Sequence, residues 1–166
     1  MKTPAGRATK DTAFLGMLED SVRANGALGT DRHKALYHYV RGLRLEARQR
    51  PADAAVELRA ALADPQETHV RIYLELAHAL IAAGRSADAV GPLRVALKGP
   101  TSAAGLYATR SELQEMLGRA YELNGQPDSA RAQYRLAADA WKSADPEFAA
   151  RRANVEMRLS RLASAH

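Results

Sequence analysis

Large and small apolar residues recur along this chain at helical spacing, and the same order returns in three successive segments. The segments begin at Ala35, Val70 and Ser111. In the first half of each, a small residue sits between two large ones. These are Leu76, Ala77 and Leu80 in the second segment and Leu117, Gly118 and Tyr121 in the third. The first segment has Arg41, Gly42 and Leu45, with a charge where the others carry Leu. In the second half the order is small, large, small: Ala54, Leu58 and Ala61; Ala89, Leu93 and Ala96; Ala130, Tyr134 and Ala137. A small residue lets a neighbouring helix come close, and the large residues fill the space around that contact. Each segment is therefore predicted to be a pair of packed helices.

The breaks between paired helices read "RQRPAD", "AGRSAD" and "NGQPDS". Pro51 and Pro127 suit the first turn of a helix, where a missing N–H costs little. Ser86 is predicted to cap its helix, and Asp53, Asp88 and Asp128 fall near the positive end of the helix dipole. Pro65, Pro100 and Pro146 mark the exits. Gly91-Pro92 lies inside a predicted helix, where the lost hydrogen bond to Asp88 predicts a kink. Upstream, "DTAFLGMLEDSVRANG" puts Phe14, Leu15, Met17, Leu18 and Val22 on one side of an N-terminal helix, with residues 1–10 expected as a disordered tail. Downstream, Phe148, Ala149, Val155, Met157, Leu159 and Leu162 alternate with arginines, as expected of a capping helix over 146–164 with one polar face.

These residues resemble the tetratricopeptide repeat (TPR). The second copy meets nearly every consensus position, the third does so with Gln114 at the first large position, and the first departs at His38 and Arg41. The resemblance covers residues 35 to about 142. It implies an all-α, right-handed α-solenoid of about three TPR helix pairs, with repeats near 35–68, 70–102 and 111–144 in a single domain over 11–166. A plain antiparallel helix bundle is the alternative fold. The stretch from Leu113 to Leu162 is also similar to the C-terminal TPR arrays of large bacterial regulators, although no kinase or winged-helix signature stands in these residues.

In TPR arrays the first helices of successive repeats line a concave face. Carried onto this sequence, the resemblance implies a partner-binding set of Tyr39, Leu43, Arg71, Leu74, His78, Glu115 and Arg119. Leu36, Glu46, Ile81, Glu112 and Glu122 occupy equivalent positions. The partner is then a protein or peptide with acidic groups to suit Arg71, His78 and Arg119. Arg151, Arg152 and Arg158 on the C-terminal helix form a competing surface. TPR modules that clamp acidic chaperone tails use Lys and Asn, and the positions here are Tyr39, Leu43, Glu75, Glu112 and Met116. A chaperone-tail adaptor is thereby disfavoured.

Composition narrows the function further. Of 166 residues 46% are hydrophobic but only 5% aromatic, a balance that suits packed helices. Cysteine is absent, which removes disulfide and thiolate chemistry. "MKTPAGRATK" has no apolar core of a secretory signal, and no apolar run approaches the roughly 20 residues of a membrane span. The expected setting is cytoplasmic, with no membrane partner. The net charge of +5 raises nucleic-acid binding as a second reading, a regulatory module with a basic surface, but basic and acidic residues alternate. The five histidines, His33, His38, His69, His78 and His166, fall in no metal-ligand spacing, and no GxSxG or phosphate-cradling glycine loop occurs. Glu112 and Glu115 read as a solvated patch rather than an acid/base pair. The sequence thus points to a non-catalytic interaction scaffold with no cofactor.

Overall fold

A computed structural model describes residues 4–26, 31–63, 70–99, 108–143 and 145–164. These residues form helices joined by short turns, with no strand among them. The helices are α1 (Pro4–Gly26), α2 (Asp31–Ala47), α3 (Pro51–Ala61), α4 (Val70–Ala82), α5 (Ser86–Lys98), α6 (Arg110–Leu123), α7 (Pro127–Ala140) and α8 (Ala149–Ser164). Two 3-10 turns, Trp141–Ser143 and Pro146–Phe148, join α7 to α8. Each helix packs on the one before and the one after it, and α4 also touches α2 and α6. That sequential packing is consistent with an α-solenoid. No helix among the described residues is long and apolar enough to cross a membrane.

The small and large positions are where the helices meet. Ala54, Leu58, Ala61, Ala89, Leu93, Ala130, Tyr134 and Ala137 are fully buried, as is Ala77. Gly42 and Gly118 show why the small residue is needed. A Cβ on Gly42 would lie 2.6 Å from the Leu58 side chain, and one on Gly118 would lie 2.6 Å from the Tyr134 ring. Neither backbone could approach so closely with a side chain in the way.

The three breaks share one hydrogen-bonded turn. Arg50 N–H donates to Leu45 C=O at 2.9 Å, Arg85 to Leu80 at 2.8 Å and Gln126 to Tyr121 at 2.9 Å. Each closes a Schellman-type helix end, whose preceding residue must adopt a left-handed conformation. Gly84 and Gly125 do so at φ of +74° and +66° without steric penalty. Gln49 takes φ +58° in the first copy, a conformation costing an ordinary residue about 1–2 kcal/mol.

Several expectations on side-chain placement are corrected. α1 begins at Pro4, as proline at a first turn can, and residues 1–3 of the expected tail lie outside the described residues. The buried face of α1 is Gly16, Glu19 and Val22, whereas Phe14, Met17 and Leu18 are exposed. The reason is polar: Gly16 leaves room for the Arg44 guanidinium, which donates to buried Glu19 at 2.6 Å. Ser86 does not cap α5; its hydroxyl donates to Asn124 Oδ1 at 2.5 Å. α5 continues as helix through Pro92. On α8, Ala149 and Met157 face solvent, and Val155 alone is fully buried. Pro65, Pro100, His69 and His166 lie outside the described residues.

Candidate functional site

Three helices present one face each to a common groove. On α4, Arg71, Leu74 and His78 stand at spacings of three and four, which stacks them on one side. On α6, Glu112, Glu115, Met116 and Arg119 do the same. On α8, Arg151, Asn154 and Arg158 repeat that spacing. Together they line a cavity of about 530 Å³.

Five of the residues expected from sequence, Arg71, Leu74, His78, Glu115 and Arg119, meet in this cavity. Tyr39 and Leu43 do not line it. Tyr39 is buried in the main core, and Leu43 is half-buried against the same cluster. Burial and the nearby Glu75 carboxylate raise the Tyr39 phenol's pKa, although Arg71 offsets part of this. Leu36 is exposed, and Ile81 is buried in the core.

Arg151 and Arg158 are expected on a competing surface, and the structure places both in the groove. Arg152 pairs with Glu156 on its own helix at 2.8 Å. Arg151 donates to Glu112 at 2.7 Å and to Glu115 at 2.5 Å, with its guanidinium 5.1 Å from the Trp141 ring centroid. Arg158 reaches Glu122 at 2.7 Å, and Arg161 reaches the same carboxylate at 3.3 Å. Tyr134 also donates to Glu122, at 2.6 Å. The acidic face of α6 is thus matched by the arginines of α8. A periodic row of arginines was visible in the sequence, but which helix it would meet was not.

Glu112 has a second task. Thr109 caps α6 by accepting from Glu112 N–H at 3.2 Å, while the Glu112 carboxylate accepts from Thr109 N–H at 2.8 Å. This capping box is encoded in "TRSE", a pattern readable from sequence. Burial opposes the Glu112 charge, but Thr109 and Arg151 outweigh it and hold the carboxyl below its ordinary value. Glu122 behaves alike: burial opposes its charge, and donation by Tyr134 and Arg158 lowers its pKa.

Three groups are shifted strongly, and one of them, the Tyr134 phenol, is pushed far up by burial and by its hydrogen bond to Glu122. His78 lines the groove as an exposed residue, and its surroundings still desolvate it in part. That desolvation, with Arg119, Arg71 and Arg151 nearby, brings its pKa down to about 4. The imidazole is therefore neutral near pH 7, with one donor and one acceptor nitrogen. Glu46, on the α2 side, is raised to about 7 by burial and then by Glu75.

After these pairings, little of the groove's charge is left unmatched. Arg71 bonds Glu75 on its own helix at 2.7 Å. Arg119 makes no ion pair or hydrogen bond among the described residues. The groove offers a cation, a neutral imidazole and the apolar side chains of Leu74 and Met116. No cluster among the described residues could hold a metal ion. Comparison with protein-family models, with curated proteins and with solved structures finds no match to the chain.

Proposed function

We propose that the chain is a TPR-type repeat domain, coiled as a right-handed solenoid, that works without catalysis as a protein-interaction scaffold. A peptide or partner protein with acidic groups occupies the groove between α4, α6 and α8. The observation that carries this reading is the state of the groove's polar groups: most are paired, while Arg119 and neutral His78 stand together without an ion-pair partner. Leu74 and Met116 beside them supply apolar surface to a docked side chain. The repeated glycine contacts and Schellman-type turns support the repeat assignment.

The test is a double substitution, His78→Ala with Arg119→Ala. Arg71 is left in place because its removal would strand the half-buried Glu75 carboxylate. Partners captured from the source cell by the intact chain are identified by mass spectrometry and their affinities measured. The double variant should keep its melting temperature and lose at least tenfold in affinity, about 1.4 kcal/mol. Undiminished binding would remove the groove from the reading.

A further inference from the structure

A second cavity, of about 210 Å³, lies between α1, α2 and the turn that follows α2. It shares no lining residue with the groove. Five of its seven lining residues are arginines: Arg23, Arg41, Arg44, Arg48 and Arg50, with Glu19 the one acid. So many guanidinium groups around one small space demand compensation, and the carboxylates within reach supply only part of it.

Glu19 takes Arg44 at 2.6 Å and Arg23 at 3.1 Å, and Asp20 lies 3.9 Å from Arg23. Glu57 takes Arg41 at 3.2 Å, and Asp53 takes Arg50 at 2.7 Å. Four carboxylates thus face five arginines, and Arg48 has no partner among the described residues. A guanidinium carries five N–H donors, so even the paired arginines keep donors to spare. One is conspicuous: Arg44 Nε is buried and bonded to nothing. Buried donors are normally satisfied, and an unpaired one in a native fold calls for an acceptor.

We propose that this arginine-lined cavity binds a small soluble phosphate or diphosphate group. The planar fork of arginine matches phosphate oxygens. A phosphoryl group also presents enough oxygens to receive several forks at once, whereas a carboxylate has two, a role Glu19 already fills. The cavity has room for a group of pyrophosphate size.

The test is calorimetric titration of the full chain with inorganic phosphate and with pyrophosphate at low salt. Both should bind saturably at one site, pyrophosphate more tightly. Arg48→Glu, a change at an exposed and unpaired residue, should weaken pyrophosphate at least tenfold with the circular-dichroism melt unchanged; Arg48→Ala is the milder second variant. Arg119→Glu, in the groove, should leave the affinity as it was, so this result is independent of the partner-binding reading. The proposal is overturned by absence of saturable heat, by equal losses from the Arg48 and Arg119 variants, or by acetate binding as tightly as phosphate. Binding to phosphatidate vesicles that pyrophosphate does not compete would place the chemistry at a lipid headgroup and overturn it as well.

Discussion

α4 and α8 are similar in length but are held in opposite ways. α4 buries eight residues, from Val70 to Ile81, in a cluster that runs from Tyr39 to Ala120. α8 buries Val155 fully, with Phe148, Leu159 and Leu162 only half covered beside it. What ties α8 to its neighbours is ionic: Arg151 to Glu112 and Glu115, Arg158 and Arg161 to Glu122, and Arg131 to the Leu162 carbonyl at 3.2 Å. Apolar burial contributes stability in proportion to area and survives salt, whereas half-exposed ion pairs contribute little each and are screened. The two ends of the groove therefore differ in firmness. α4 is a fixed wall, and α8 is the wall that yields first.

The largest expected effect tests the fixed wall. Leu80→Ala empties a fully buried site and should cost about 2–5 kcal/mol. Val155→Ala, the matching change on α8, should cost about 1–2 kcal/mol, from the methyl groups lost. Thermal or urea unfolding of both variants reads the difference. Equal losses would mean that α8 is anchored as deeply as α4, and the contrast between them would fail.

A smaller effect sharpens the ionic half of the comparison. Raising salt from about 0.1 M to about 1 M shortens the screening length from about 10 Å to about 3 Å. Exposed pairs give about 0–1 kcal/mol each, so α8 should loosen by about 1–2 kcal/mol in sum. Hydrogen exchange of α8 amides should then speed up by about tenfold, with α4 amides unchanged. Arg151→Ala at low salt should mimic the change. If α8 exchange ignores both, Val155 and the aromatic pair Trp141 and Phe148 are its true anchor.

The same contrast explains what could be read beforehand. The helix pairs were legible because burial follows periodicity: Ala54, Leu58 and Ala61 and their counterparts went inside as the spacing requires. α1 misled because its buried face is built on Glu19, a carboxylate that goes inside only with Arg44 to meet it. Nothing in either segment alone announces a pair so distant in sequence. The groove was half legible for the same reason: side chains on α4 and α6 follow from helical phase, but the partnership of Arg151 with Glu112 and Glu115 depends on where the last helix turns back. Gln49 shows the converse, since its turn forms although the glycine that marks Gly84 and Gly125 is missing.

The smallest effect concerns a joint within the firm region. Ser86 opens α5 and Asn124 ends α6, and the hydroxyl of one donates to the amide oxygen of the other at 2.5 Å. A capping serine would act on the N–H groups of its own helix, and its loss would be indifferent to residue 124. A serine that links two turns should be coupled to Asn124. Ser86→Ala and Asn124→Ala should each cost about 0.5–1.5 kcal/mol, and the double variant should cost less than their sum. The missing amount is the energy of the bond between them. Strict additivity in the denaturant midpoints would return Ser86 to a capping role and leave the joint between α5 and α6 to the apolar residues that both helices bury in the common core.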